Sequence, residues 1–414
     1  MTKTTPDNVN AFSKADYSYM AQATRLAQKG LYTTSPNPRV GCVLVKNNQV
    51  IGEGYHQKAG QGHAEVNAIA DVKKRYPESF TEQLKGCTAY VTLEPCSHFG
   101  LTPPCAQGLI NANVGRVVSA MVDPNPSVSG RGLAMLEAAG ITSQFGLLEQ
   151  EAKALNVGFI KRMTTNFPYV RCKLAASLDG KTAMANGESQ WITGSHARQD
   201  VQRLRAKSCA VISGADSVIF DNAKMNIRWQ ELGELRHQYA QNLVRQPVRV
   251  IIDSQQRLTP DLEIFQQHSP IIIVGIEKNK SVIQDLEKPP QWPHFVEHVT
   301  VNESIQAKHQ LNSSDKAKVD LADLLKTLAK RGFNEVLVES GAKLSGAFIE
   351  QDLVDELILY QAPKLMGTEA KGLVNMPSIE SLSAAKNLDI VDINMVGNDI
   401  RITAKLINSF ENVS

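Results

Sequence analysis

Apolar positions over the first 165 residues switch between two spacings. Tyr19, Met20, Ala23, Leu26 and Ala27 recur at the interval of an amphipathic helix, and Gly30 is placed to end it. The apolar run 40–45, the turn Lys46-Asn47-Asn48-Gln49 and the run 50–52 predict a β-hairpin. Helical spacing returns at Ala64, Ala68, Ile69 and Val72. A strand is then predicted over 88–93, a helix from Gly108, a strand over 116–122, and a helix over 132–139 closed by Gly140. This alternation predicts an α/β sandwich around a mixed sheet.

A helix predicted over 149–162 runs into Thr164-Thr165-Asn166-Phe167-Pro168, polar turn residues followed by a proline. A domain boundary is expected there, separating 1–163 from 168–414. The second domain opens on a strand at 169–175 and continues through apolar stretches at 210–213, 248–252, 271–274, 335–338, 356–360 and 400–406. Helical segments lie between many of these, so it too is expected to be α/β. Trp229, Leu232, Leu235, Tyr239 and Leu243 predict an amphipathic insertion, and the polar stretch 291–320 predicts an irregular surface excursion.

A length of 414 residues agrees with two or three domains. The 44 Lys plus Arg nearly balance 42 Asp plus Glu, a formal charge of +2, which argues against a protein that coats nucleic acid or anionic membrane. Six cysteines are too few for a disulfide scaffold and point to metal or catalytic use. The N-terminus has no apolar core like a signal peptide, and no apolar run approaches the ~18 residues of a membrane helix. A soluble, cytoplasmic protein is expected, with neither nucleic acid nor membrane as partner.

The chemistry is concentrated first in His63-Ala64-Glu65 and in Pro95-Cys96 followed by Cys105. One imidazole and two thiolates suit tetrahedral Zn²⁺ and leave a fourth position for water, whose pKa the metal lowers. Glu65, two residues from a ligand, is placed to carry the proton from that water to the ring nitrogen and the leaving ammonia. This is the H-x-E, P-C-x-x-C arrangement of nucleobase deaminases, except that eight residues rather than two separate the thiols. A closed structural site with His98 as fourth ligand would satisfy the same residues. The order of helix start, strand end and second cysteine favours the catalytic reading.

Asn37-Pro38-Arg39-Val40-Gly41-Cys42-Val43, His56-Gln57-Lys58-Ala59-Gly60, His63-Ala64-Glu65-Val66-Asn67-Ala68, Thr92-Leu93-Glu94-Pro95-Cys96-Ser97-His98, Thr102-Pro103-Pro104-Cys105 and 123–132 resemble the bifunctional riboflavin-biosynthesis deaminase/reductase family. The long thiol spacing is characteristic of that family. The resemblance implies a cytidine-deaminase-like α/β/α sandwich in which His63, Cys96 and Cys105 hold zinc, Glu65 shuttles the proton, and Asn37 and His56 line the pyrimidine pocket. Leu101 stands where the family usually has Lys or Arg, which leaves the substrate phosphate without that basic group.

The second half has no G-x-G-x-x-G fingerprint, so an ordinary dinucleotide-binding Rossmann domain is not expected. The run 336–348 reads as strand, small-residue turn and helix; tight packing and pyrophosphate binding at the helix start both account for it. Residues 173–181, 187–193 and 201–206 resemble the family's reductase, which implies a dihydrofolate-reductase-like α/β domain using NADPH. The resemblance assigns Ala175, Trp191, Ser217, Asp221, Ser254 and Gly341, Ala342, Lys343, Leu344, Ser345, Gly346 and Ala347 to NADPH. It assigns Ser189, Arg205, Met225, Arg228 and Glu339 to the pyrimidine ribosyl phosphate. The family's Asp-Asp-Pro-x-Leu-Thr-x-Arg stretch here reads Asp221-Asn222-Ala223-Lys224-Met225-Asn226-Ile227-Arg228, and its Glu-x-Gly turn carries Ser340. Loss of the proline predicts a looser loop. The implied enzyme deaminates a ribosylaminopyrimidinone 5′-phosphate and then reduces its ribosyl chain, and a homo-oligomer is expected. A tRNA deaminase, or a structural zinc module joined to a degenerate reductase-like domain, are the rival readings.

Overall fold

Strand β1 (Gly41–Lys46) is buried on both sides, and its alternating side chains feed two separate cores. Cys42 and Leu44 join Ala64, Ala68, Val72, Ala106, Leu109 and Leu136 on one face. Val43 and Val45 join Met20, Ala23, Leu26, Ala152 and Phe159 on the other. The period-two alternation of a strand therefore sets helices on both sides of one sheet. In the computed structural model, which describes residues 12–97, 103–126, 128–276, 291–304 and 317–407, the chain divides into two compact units, 1–165 and 166–414.

In the first unit β1 pairs antiparallel with β2 (Gln49–Tyr55) and with β3 (Thr88–Val91). Parallel pairing then adds β4 (Arg116–Ser119) and β5 (Thr142–Phe145), giving the order β2-β1-β3-β4-β5. Helices Lys14–Gln28, Ala64–Arg75, Cys105–Asn111 and Arg131–Ala138 complete the α/β/α sandwich. β5 escapes sequence reading because its short, polar, half-exposed run carries no apolar alternation. The helix expected over 149–162 is two, Glu149–Leu155 and Val157–Thr165. The break falls at Asn156, whose side-chain amide exchanges hydrogen bonds of 2.8 and 2.9 Å with the main chain of Arg39.

The second unit holds β6 (Tyr169–Ser177), β7 (Lys181–Ala183), β8 (Ala210–Gly214), β9 (Val248–Ile252), β10 (Ile271–Ile276), β11 (Val296–Val301), β12 (Glu335–Glu339), β13 (Glu356–Ala362), β14 (Lys371–Gly372), β15 (Leu388–Val396) and β16 (Asp399–Leu406). The large sheet has the order β11-β10-β9-β8-β12-β6-β13-β16-β15, parallel from β11 to β13 and antiparallel beyond, while β7 and β14 form a separate pair. Val336, Leu337 and Val338 of β12 are wholly buried, as a parallel strand covered on both faces requires. Helices Leu321–Lys330 and Ala342–Glu350 supply one cover.

Two expectations are corrected here. The excursion 291–320 contains β11, an edge strand that parallel pairing with β10 stabilises despite its polar alternation; 305–316 lie outside the described residues. The insertion 229–243 is amphipathic only in part, and holds a 3₁₀ turn, Trp229–Glu231, and a short helix, Leu235–Gln238. Gly233 interrupts it at φ +57°, and of its five apolar positions only Leu232 and Leu235 are buried. Among the described residues no helix is long and apolar enough to cross a membrane.

Candidate active sites

His63 precedes helix Ala64–Arg75 in extended geometry, and its ring does not cap the helix. It turns to the thiols instead: Nδ1 lies 3.2 Å from Cys105 Sγ and 3.6 Å from Cys96 Sγ. Cys105 opens helix Cys105–Asn111, and its N–H donates to Cys96 Sγ at 3.3 Å. The three donor atoms lie within 4.8 Å of one another, the one such cluster of metal-ligating side chains among the described residues. One nitrogen and two sulfurs at this spacing fit a zinc ion with an open position. His98 and Leu101 lie outside the described residues.

Charge is shared within the cluster. The Cys105 thiol beside it draws Cys96 down to about 4, and the resulting thiolate pushes Cys105 up and raises His63. Glu65, in the first turn of its helix, is 4 % exposed. Burial pushes its carboxyl up to about 7, where it can both take and release a proton.

His56 follows β2 and packs edge-on against His63, with ring centroids 5.3 Å apart. Its Nδ1 meets the Gly62 carbonyl and its Nε2 the Asn37 side-chain nitrogen, each at 3.1 Å. Those partners assign the proton to Nδ1 and the acceptor role to Nε2. Burial lowers the His56 pKa, which keeps the ring neutral beside the cluster. Sequence reading missed Glu94. Its buried carboxylate accepts from the backbone N–H groups of Asp123, Gly130, Gly132 and Leu133 at 3.0, 2.9, 2.8 and 3.4 Å, tying the 123–133 loop to the strand end that delivers Cys96. No short-range signal marks this cap: Glu94 and the helix start it serves, whose N-cap Gly130 has no side chain, are 36 residues apart.

In the second unit Arg205, in the last turn of helix Ser195–Lys207, forks onto Glu339 at the end of β12, at 2.7 and 2.8 Å. Its third nitrogen donates to the Asn226 carbonyl at 2.9 Å. Lys173 of β6 is in register with Glu339. Burial alone would raise the Glu339 carboxyl, but Arg205, Lys173 and Arg228 together hold it below the usual range. Arg228 forks onto Glu231 at 2.6 and 2.8 Å and stays half-exposed. Burial raises the Asp221 carboxyl against the opposing influence of the nearby Ser189 side chain. Trp191 is exposed, with the Arg198 guanidinium 4.6 Å over its ring. Ala175 sits on β6, its carbonyl bonded to Thr182.

At the carboxyl ends of β8 and β9, Gly214, Ile252, Ser254, Lys343, Leu344 and Ala347 line a cavity of about 920 Å³, large enough for a dinucleotide. Gly341 caps the adjoining helix beside Ser217. The run Gly341–Ala347 does not face the cavity as a block. It is helical from Ala342, so Ser345 and Gly346 turn into the protein, and a Cβ on Gly346 would meet the Asn375 carbonyl oxygen at 2.1 Å. The Ser345 side chain and the bare Gly346 Cα pack into the protein rather than forming cavity wall. Met225 is likewise 5 % exposed within an apolar core, leaving only its main chain for contact.

The 221–228 loop is anchored rather than loose. Gln246 accepts from the Ile227 N–H at 2.7 Å and donates to its carbonyl at 2.9 Å, Gln202 accepts from the Arg228 N–H at 3.0 Å, and Asn222 Oδ1 accepts from the Glu263 N–H at 3.0 Å. The buried Arg249 guanidinium donates to the carbonyl of Lys224 at 3.2 Å.

Residues 13–121 match the cytidine and deoxycytidylate deaminase zinc-binding region, and residues 168–402 match the RibD C-terminal domain. The chain is 48% identical to the riboflavin biosynthesis protein RibD of Haemophilus influenzae, over 95% of this chain and 98% of that one. It is 46% identical to that of Escherichia coli, over 93% and 98%. Among solved structures, Acinetobacter baumannii RibD superposes with a TM-score of 0.82 at 42% identity, covering 95% of this chain and 99% of that one. A Thermotoga maritima diaminohydroxyphosphoribosylaminopyrimidine deaminase/5-amino-6-(5-phosphoribosylamino)uracil reductase gives 0.77 at 31% identity, covering 95% and 99%.

Proposed function

Since this chain belongs to the RibD family of bifunctional riboflavin-biosynthesis deaminase/reductases, we propose that its two compact units divide the two reactions between them, 1–163 deaminating and 168–414 reducing. It is an enzyme of riboflavin biosynthesis that uses zinc and NADPH and acts on small pyrimidines. The readings as a tRNA deaminase or as a non-enzymatic zinc module are not favoured: relatives match along nearly the whole chain, reductase half included.

The observation that carries the deaminase assignment is the juxtaposition of the His63, Cys96 and Cys105 donor atoms with a buried carboxyl at Glu65. Bound there, zinc supplies a water of lowered pKa. Glu65 would take one proton of that water and pass it to the ring nitrogen, then carry the remaining proton of the added hydroxyl to the amino group, so that water is consumed and ammonia leaves. Asn37 and neutral His56 orient the pyrimidine ring. In the reductase, NADPH supplies the hydride to the ribosyl chain. Ala175, Trp191, Ser217, Asp221, Ser254 and the Gly341, Lys343, Leu344 and Ala347 face contact the cofactor. Ser189, Arg205, Arg228, Glu339 and the Met225 main chain contact the sugar phosphate; the half-exposed Arg228 guanidinium is the one suited to phosphate oxygens, while Arg205 holds Glu339 in place.

The chain is also read as a cytoplasmic homo-oligomer. Six free thiols suit a reducing compartment. Leu388, Ile390, Ile393 and Met395 of the edge strand β15 are each 44–65 % exposed, and the register shift between Ile390 and Asp392 keeps them on one face, a surface for a second copy.

Incubation of metal-replete protein with the diaminopyrimidinone substrate and NADPH tests the assignment: ammonia release and NADPH oxidation, each product identified by mass. Glu65→Gln should keep zinc and NADPH oxidation on the deaminated substrate but lose ammonia release. A Glu65→Gln protein that deaminates normally overturns the role of Glu65.

A further inference from the structure

The cavity at the ends of β8 and β9 carries a charge pattern that the assignments above leave unused. Asp216, in the first turn of helix Ala215–Asp221, and Arg257, beyond the end of β9, both line it, and Arg257 Nη1 lies 2.6 Å from Asp216 Oδ1. Lys343 lines the same space. The pair is about half exposed, 43 % for Arg257 and 56 % for Asp216, so water already competes for both groups and the guanidinium is held only weakly. A phosphate dianion entering the cavity offers Arg257 a doubly charged, bidentate partner in place of one carboxylate.

NADPH differs from NADH by one such phosphate, on the adenosine 2′-oxygen. An unpartnered carboxylate in an adenosine-ribose pocket repels that phosphate and accepts a hydrogen bond from the 2′-hydroxyl of NADH, whereas an arginine does the reverse. In this cavity Arg257 and Asp216 supply one of each kind and neutralise each other, while Glu350, Lys318 and Lys343 also line the space. We propose that Arg257 is the residue that selects NADPH over NADH: it leaves Asp216 for the 2′-phosphate when the phosphorylated cofactor binds, and masks Asp216 when it does not. Asp216 is then a built-in competitor that sets how much selectivity Arg257 must provide. This rests on the reductase half binding its cofactor in this cavity.

The test is equilibrium binding of NADPH, NADH, adenosine 2′,5′-bisphosphate and adenosine 5′-monophosphate to the full-length protein, followed by cofactor fluorescence and by the shift in thermal unfolding. Arg257→Ala should weaken NADPH and the bisphosphate by about 10- to 100-fold, the loss of one charge-assisted contact, while NADH and the monophosphate change less than about threefold. Asp216→Asn should bind NADPH at least as tightly as wild type, and Arg257→Ala combined with Asp216→Asn should recover part of the loss. The exposed position of Arg257 and an unchanged unfolding midpoint without cofactor separate these effects from misfolding. Equal weakening of NADPH and NADH would mean that Arg257 touches a group common to both, and no change in either would mean that it touches neither; both overturn the proposal. Weaker NADPH binding by Asp216→Asn overturns the competitor role. A wild-type protein that binds neither cofactor would instead sink the NADPH assignment on which this inference stands.

Discussion

Replacing Glu94 by Gln should loosen the deaminase site without touching a metal ligand. Two main-chain donors, Asp123 and Gly130, converge on one carboxylate oxygen, and two, Gly132 and Leu133, on the other. Glutamine keeps the shape and one acceptor oxygen, but its NH₂ must then face one of the two donor pairs. Each buried N–H left without an acceptor costs about 1–3 kcal/mol, so the pair costs about 2–6 kcal/mol before relaxation. Gly130 is only partly buried and can reach water, which sets the expectation near 3 kcal/mol, or about 150-fold in a local opening equilibrium. The negative charge lost also lay at the start of helix Arg131–Ala138, where it opposed the exposed N–H dipoles. Gly132 transmits the change directly, since its Cα packs so closely on the Pro95 carbonyl that a Cβ would come within 1.9 Å of the oxygen.

Hydrogen exchange on the full-length protein reads this out. Amides in 130–133 should exchange about 150-fold faster in Glu94→Gln, while those of β13 in the other unit stay unchanged. Competition with a chelator should show zinc affinity reduced by about 10- to 100-fold, the usual range when a group that orients a ligand is lost. If the 130–133 amides keep their protection within about threefold, or zinc is held as tightly as in wild type, the reasoning about Glu94 is wrong.

Burial would raise the Asp16 carboxyl, but bonds from Arg116 at 2.7 Å and Tyr90 at 2.6 Å hold it well below the carboxylate range. A carboxyl depressed in the folded state stabilises above its unfolded pKa of about 4 and loses that contribution as pH falls through the folded value. Asp16→Asn should therefore cost about 3 kcal/mol at pH 7, and the gap from wild type should shrink below pH 4 in urea titrations of the first unit. Gln246→Ala removes both bonds to Ile227 and should raise the reductase KM while leaving kcat and ammonia release near wild type; an unchanged KM would show that Arg228 does not depend on that anchor. Ile393→Lys places a charge on the apolar face of β15 and should shift the protein to a smaller species in light scattering, whereas an unchanged mass would exclude β15 as the contact.

The two sites differed in how far the sequence revealed them, and the difference is physical. The zinc cluster is written in short-range signals: His63 and Glu65 belong to one helix start, and a single strand end and a single helix start deliver Cys96 and Cys105. Each of these pairs is local, but His63 meets Cys96 and Cys105 only across 33 and 42 residues, so the fold still has to bring the two pairs together. The partners that hold them in place are distant in sequence. Glu94 meets groups 29 to 39 residues away, and no spacing rule announces that a carboxylate will cap a helix in another part of the sheet. In the reductase the fork of Arg228 on Glu231 is local, but Arg205 meets Glu339 134 residues on.

Helix periodicity also explains the one place where a motif promised too much. The small-residue run from Gly341 to Ala347 reads as one continuous cradle, but once Ala342 starts a helix, successive residues turn by about 100°. Only one side of the helix can then face a ligand, and Lys343, Leu344 and Ala347 do so while Ser345 and Gly346 pack inward. The missing proline in 221–228 teaches the converse. Read alone, the substitution removes a rigid residue and predicts a mobile loop. In the fold, Gln246, Gln202 and Arg249 each bind its main chain from a different element, and the loop's own Asn222 side chain accepts from the Glu263 N–H. Restricting main-chain dihedrals by a ring and restricting them by several hydrogen bonds reach the same end, a loop held to one conformation. The difference is that the ring acts even in the unfolded chain, whereas the hydrogen bonds exist only once β9 and its flanking turns have formed. Order in the substrate loop is therefore coupled to folding of the whole second unit, and loss of one of its anchors, such as Arg249, should weaken substrate binding before it unfolds the sheet.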